Sequence, residues 1–174
     1  IVTTQANSPT NSWFVPDPGT TSSRTLTGAA PVAVPASPPT VLEFFHRYAT
    51  EPRFDGGVLE YSLDGGTTWS GILAAQGTVA ANPARFLSGG YNDVMSANGA
   101  FGAVPAWHGS FNTAWIRTAV DLTDFAGRGV TFRLRFGADS SVAGTGWWVD
   151  DIRVYFGSSC SSIADGLFAN GFEP

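Results

Sequence analysis

A chain of 174 residues, 43% hydrophobic and 13% aromatic, is long enough to bury a core of its own as one large domain or a domain with tails. Its 21 glycines, 11 prolines and low charged fraction (13%) describe a turn-rich, all-β chain, and a net charge of −5 argues against nucleic acid, whose phosphates need a basic surface. No run of about 20 apolar residues is present, so no membrane span is expected. Ile1-Val2-Thr3-Thr4 is neither an initiating Met nor a signal peptide, so the chain reads as a mature product or an excised piece of something longer.

Taken in order, residues 1–40 mix short strand candidates with Pro, Ser and Thr. Trp13-Phe14-Val15 is cut off by Pro16 and Pro18, and Pro35, Pro38 and Pro39 restrict the region to edge strands or extended loops. From Val41 to Ala49, Leu42, Phe44, His46 and Tyr48 alternate with Val41, Glu43, Phe45 and Arg47, which predicts a strand. Thr50 to Gly57 is a connection carrying Glu51 and Asp55. Val58 to Leu63 predicts a strand with Leu59, Tyr61 and Leu63 on one side; Asp64-Gly65-Gly66 then reverses the chain in a tight hairpin, and Thr67-Thr68-Trp69 begins the return.

Residues 74–112 are rich in Ala, Gly, Asn and Ser and predict long loops, with short strands around Arg85-Phe86-Leu87 and Ala106-Trp107-His108. Trp115 to Leu122 is the next strand, and Thr123 to Gly127 a turn with one helical turn capped by Thr123. Val130, Phe132, Leu134 and Phe136 then alternate with Thr131, Arg133 and Arg135, the best two-fold period in the chain. No amphipathic helix of ten residues occurs. Seven to ten short strands joined by long loops predict two packed antiparallel sheets, a sandwich or jelly roll over residues 1–157, with a tail at 158–174. Cys160, the only cysteine, lies in that tail with no base to activate it; it reads as an unpaired thiol, with pairing to a cysteine elsewhere left open.

The last strand, Gly146 to Phe156, poses the sharpest question. Period two puts Trp148, Asp150, Ile152, Val154 and Phe156 on one face and Trp147, Val149, Asp151, Arg153 and Tyr155 on the other. The first face is apolar and looks into a core, yet it carries Asp150. A buried carboxylate needs hydrogen bonds, an ion pair or a metal.

Phe44 to Glu51, Phe54 to Trp69, then Val120-Asp121-Leu122, Arg133 to Phe136 and Gly146-Trp147-Trp148-Val149-Asp150-Asp151-Ile152 together resemble MAM-like jelly-roll modules of the galactose-binding-like kind. Such modules sit beside the catalytic domains of secreted bacterial proteins, including immune-inhibitor-A-type metallopeptidases. The likeness spans about residues 41–156 and is specific for fold rather than ligand. Ile163 to Glu173 resembles a short C-terminal tail of secreted gammaproteobacterial proteins, with Asn170 where that pattern has Asp. The resemblance implies secretion, an accessory role beside the catalytic domain of a parent chain, and a glycan or cell-surface ligand. It also implies a Ca²⁺ ion pinning loops together, with Asp150 at a common ligand position.

Calcium takes six to eight oxygen ligands. Asp150 with Glu51 and Asp55, and Asp151 beside it, are the candidate set; the alternative is that Asp150 accepts hydrogen bonds from loop amides or pairs with Arg47 or Arg53 while Asp151 is solvated. Asp64 and Asp139 read as turn residues. For a sugar groove the candidates are Trp107, Tyr91, Trp115 and Asn112, with Trp147 and Asn92 nearby, against core packing for each Trp. His46 reads as a hydrogen-bonded core histidine, and His108 as a loop residue able to face a groove. No nucleophile elbow, HExxH pair or phosphate-binding loop is present, so no catalysis is expected.

Overall fold

The computed structural model describes residues 1–72 and 85–157. Among them run twelve strands: β1 (Trp13–Pro16), β2 (Ser22–Thr27), β3 (Val32–Ala33), β4 (Thr40–Ala49), β5 (Gly56–Ser62), β6 (Ser70–Gly71), β7 (Arg85–Ser88), β8 (Asp93–Val94), β9 (Pro105–His108), β10 (Ser110–Asp121), β11 (Gly129–Ala138) and β12 (Gly146–Phe156). The one helical element described is a 3₁₀ turn at Thr123–Phe125; it starts from Leu122 with no side-chain cap, so Thr123 does not cap it as expected. No described helix is long and apolar enough to cross a membrane. The expected tail, Cys160 and residues 74–84 lie outside the described residues.

The strands form two antiparallel sheets, packed face to face. One runs β1-β12-β4-β10-β7; the other runs β2-β11-β5-β9-β8, with β3 added on β11 and β6 on β5. The quartets β1-β12-β4-β10 and β2-β11-β5-β9 interleave early with late strands, which is the double Greek key of a jelly roll. β1 and β2 are edge strands, as the proline-rich start demands.

The core lies between the sheets and follows the period-two pattern. Leu42, Phe44, His46 and Tyr48 of β4 face Leu59 and Tyr61 of β5 and Val130, Phe132, Leu134 and Phe136 of β11. Leu63, expected on the Leu59 side, lies past the end of β5 and is exposed. The turn beyond it is longer than a two-residue hairpin: the Asp64 carboxylate takes the Thr68 amide and hydroxyl, and the return strand is only β6.

Trp107 and Trp147 sit at the core centre with His46, and Gly57 makes room for Trp147, since a Cβ there would meet the indole at 2.5 Å. The Trp147 indole N–H donates to His46 Nδ1 (3.1 Å), so the neutral ring carries its proton on Nε2 and donates to Thr118 Oγ1 (3.0 Å), which donates on to the Gly89 carbonyl (2.8 Å). Burial lowers the His46 pKa to about 3, so the ring stays neutral.

The last strand departs from strict alternation. Its register against β4 slips between Asp150 and Arg153, and Asp151 takes φ +51°. One extra residue in a bulge exchanges the two faces of a strand. Trp147 and Val149 therefore join the core ahead of the bulge, and Ile152 and Val154 after it. Trp148 and Asp150 do not share the inward face of Ile152 and Val154. Trp148 instead packs against Phe14, 4.6 Å between ring centroids, with Arg47 over its face.

Candidate metal centre

Register alone brings five chain segments to one end of the sandwich. Pro16 and Ala49 both pair with Gly146, so the end of β1, the end of β4 and the start of β12 coincide; Gly137 pairs with Gly56, adding the end of β11 and the start of β5. The loops leaving these ends carry Asp17, Glu51, Asp55 and Asp139.

The Thr50–Asp55 loop is wound tightly. Phe54 and Asp55 donate their amides to the Glu51 carbonyl (3.3 and 3.2 Å), Arg53 takes φ +71°, and the Thr50 hydroxyl donates to the Asp55 carbonyl (2.9 Å) while accepting the Gly109 amide (3.0 Å). Glu51 and Asp55 are thereby turned to the same side. Asp55 Oδ1 accepts the Asp139 amide at 2.6 Å, drawing in the β11–β12 loop, and Asp139 Oδ1 accepts the Ser141 amide (2.8 Å). Asp139 is thus a turn residue, as expected, and also a member of the cluster. One carboxylate oxygen each from Glu51, Asp55 and Asp139 lies within 4.8 Å of the others.

Asp17 stands beside the group. Its Oδ2 accepts the Glu51 amide at 3.3 Å, and its carboxyl meets that of Asp55. Gly144 is required there, because a Cβ would run into Asp17 Oδ2 and into the Ala49 carbonyl at 2.5 Å.

Among the described residues, no cationic side chain pairs with the carboxyl groups gathered here. Asp55 is fully buried and Asp17 is 3% exposed. Asp17 Oδ1, Glu51 Oε2 and Asp55 Oδ2 are buried and meet no donor among the described residues. Arg53, the one cation in the loop, acts on His108, and no arginine perturbs these carboxyls. Burial, followed by the hydrogen bond to the Asp17 carboxyl and the charges of Asp17 and Asp139, pushes Asp55 up to about 7; burial and the like charges also raise Asp17 and Glu51. Two carboxyls in contact hold together only with a proton or a cation between them.

The donor set is all oxygen, which selects a hard cation over zinc or copper. Calcium holds its ligands at about 2.4 Å, so two of them stand at most about 4.8 Å apart, and the oxygens of Glu51, Asp55 and Asp139 all lie within 4.8 Å of one another. The residues fit Ca²⁺.

Of the four expected metal residues, the structure brings together Glu51 and Asp55 and leaves Asp150 and Asp151 elsewhere. Asp150 is buried beneath the N-terminal segment, where Oδ2 accepts the amides of Asn7 (2.6 Å) and Ser8 (3.1 Å) and Oδ1 accepts that of Asp151 (2.8 Å). Its burial is satisfied by loop amides. Asp151 accepts the Asn7 side-chain amide (2.8 Å). Asp17 was not singled out in the sequence; its one signal is its position between Pro16 and Pro18, which cannot donate ladder bonds, so that a side chain must help anchor the segment.

The sugar candidates scatter. Trp107 and Trp147 are core residues, each 1% exposed. The Tyr91 hydroxyl donates to the Leu59 carbonyl and accepts the Leu59 amide, and its ring stacks on Trp107 at 4.5 Å. Trp115 is half-buried, and the side chain of Asn112 lies outside the described residues. Asn92 holds the strand end by accepting the His108 amide (2.9 Å) and donating to its carbonyl (3.0 Å). His108 is buried at the end of β9 and accepts the Arg53 amide, so it does not line a groove. A cleft of about 320 Å³ lies beside the N-terminal segment, between Ser8, Asn11, Trp13 and Asp151.

The chain matches no protein-family model and no curated protein.

Proposed function

We propose that this is a non-catalytic accessory module of a secreted bacterial protein, MAM-like in kind, structural or adhesive in role, whose loop end is braced by one Ca²⁺ ion. The observation that carries the reading is the trio of buried carboxylate oxygens on Asp17, Glu51 and Asp55 that meet no donor, converging with Asp139. A divalent cation bound there would neutralise the mutual repulsion of loops from opposite sheets. The absence of catalysis is supported by the histidines: both are buried and hydrogen-bonded to backbone or to other side chains, so neither offers a base to a substrate. A sugar-binding role ranks behind, since Trp107, Trp147 and Tyr91 are committed to the core. The test is calorimetry on chelator-treated protein together with thermal melts. Heat on adding Ca²⁺ and a raised melting temperature are expected; neither appearing would leave a shared proton between Asp17 and Asp55 and remove the calcium brace.

A further inference from the structure

The cleft of about 320 Å³ lies between the N-terminal segment and the bulge of β12, and its lining includes Ser8, Thr10, Asn11, Trp13, Asp151 and Ile152. That volume stands at the small end of ligand-binding cavities, which run from about 300 to 1,000 Å³. The outer wall is tied in place. Val2 and Ser12 exchange backbone bonds (2.9 and 3.0 Å), the Ser12 hydroxyl donates to the Gln5 carbonyl, and Arg47 donates to the Gln5 side chain (2.8 Å). Asp150 fastens the same segment through the Asn7 and Ser8 amides. The two adjacent aspartates thus divide the work: Asp150 holds the wall, and Asp151, on its left-handed backbone, stands in the lining. An extra residue in a strand re-aims a side chain, which is why bulges recur beside binding sites.

We infer that this cleft binds the terminal, neutral sugar of a glycan. The inference rests on the adhesive role proposed above, names the class of its ligand and is independent of the calcium brace. Unspent hydrogen-bonding capacity decides the ligand. Asp151 Oδ2 accepts one bond, from the Asn7 side chain, and its other oxygen accepts none among the described residues. The side chains of Ser8, Thr10 and Asn11 make no hydrogen bond among the described residues either. Acceptors and donors therefore line one space. A sugar hydroxyl donates and accepts at once and can use both, whereas an ammonium or guanidinium group only donates and leaves the Asn11 N–H₂ without an acceptor. An anionic ligand is repelled by Asp151. Trp13 and Ile152 supply an apolar surface for the C–H face of the ring, while the polar groups fix its orientation. The small volume suits a chain end rather than a length of polymer.

The experiment presents the full chain, with and without Ca²⁺, to immobilised glycans ending in galactose, glucose, mannose, N-acetylglucosamine or fucose. Any hit is then titrated with the matching free methyl glycoside. Retention on at least one glycan, reversed by the free glycoside, is expected. Asp151→Asn and Asn11→Ala are each expected to weaken it by about ten-fold or more. Asp124→Asn, which removes an exposed charge on the 3₁₀ turn, is expected to change nothing. Asn tolerates the left-handed backbone at Asp151, and Asn11 is exposed, so neither variant puts the fold at risk. No retention on any of these glycans overturns the inference, as does binding of lysine methyl ester in their place, or retention that both variants leave intact. Calcium heat without sugar binding removes the site and keeps the brace; sugar binding without calcium heat removes the brace and keeps the site.

Discussion

Two buried acidic regions lie at different places along β12, and they meet the cost of burial in opposite ways. Asp150 is surrounded by donors: three backbone amides, two from the N-terminal segment and one from its own bulge, cover both oxygens. The loop-end group of Glu51, Asp55 and Asp139, with Asp17 against Asp55, has more charge and fewer donors. A carboxylate with three amide bonds is complete as it stands, whereas carboxyls with three oxygens lacking donors need a shared proton or a cation. Proximity to the conspicuous Trp-Trp-Val-Asp-Asp run is thus a poor guide to the metal; the test is where hydrogen bonds run out.

The sharpest way to break the comparison is to remove one carboxylate from each region. Asp150→Ala orphans the amides of Asn7, Ser8 and Asp151, and unfolding in urea is expected to show a loss of about 2–4 kcal/mol, with or without calcium. Asp55→Asn keeps an oxygen for the Asp139 amide and offers an N–H₂ to Asp17, so in chelator the protein is expected to gain about 1 kcal/mol. Opposite signs from two buried aspartates support the contrast; a loss at Asp55 in chelator would show that its charge is already compensated.

Next in size is calcium itself. At a concentration one hundred times its dissociation constant, a ligand that binds only the folded state adds about 2.7 kcal/mol, or about 5–10 °C in melting temperature for a chain of this length. Asp55→Asn is expected to abolish that rise and Asp150→Asn to preserve it. A rise lost in Asp150→Asn and kept in Asp55→Asn would return the metal to the last strand.

The sequence showed the sandwich well because β4, β5 and β11 bury one face each, and a face buried on one side writes period two into the residues. Glu51 and Asp55 were legible as a pair because five positions of one loop hold both. Asp17 and Asp139 were not, since they come from separate loops that only the interleaved strand order brings together, and spacing along the chain carries no trace of it. Asp150 misled for a different reason. Counting by twos across Asp150-Asp151 assumes an unbroken strand, and no Gly marks the bulge that breaks it. The extra residue sends Asp150 to the opposite side from Ile152, under a segment some 140 positions away.

Confined to acid, and to a group that is buried without charge, is the pH dependence set by His46. Its folded pKa lies at about 3, below the ordinary value near 6.5, so between these values the unfolded chain binds the extra proton. Stability is fully present above about pH 6.5 and is lost progressively as the pH falls from there toward the folded pKa. Urea unfolding of His46→Gln against wild type at several pH values isolates this slope, and wild type and variant declining in parallel would overturn it. The comparison gains a third case: Asp150 is buried among amide donors, the loop end is short of donors, and His46 avoids the issue by staying neutral.

The smallest effect concerns the bulge that separates the two acidic regions. Asp151 sits at φ +51°, where a residue with a Cβ pays about 1 kcal/mol and a short polar side chain is tolerated best. Asp151→Gly removes that strain and also removes the bond to the Asn7 side chain, so the two changes offset to within about 0.5 kcal/mol. Asp151→Val adds a branched Cβ to a left-handed backbone and is expected to cost about 1–2 kcal/mol, measured by urea unfolding. Equal stability of the Val and Gly variants would mean that the strand passes this point without a left-handed residue. Asp150 would then point with Ile152 into the core, and the donors that distinguish it from the loop end would have to be found elsewhere.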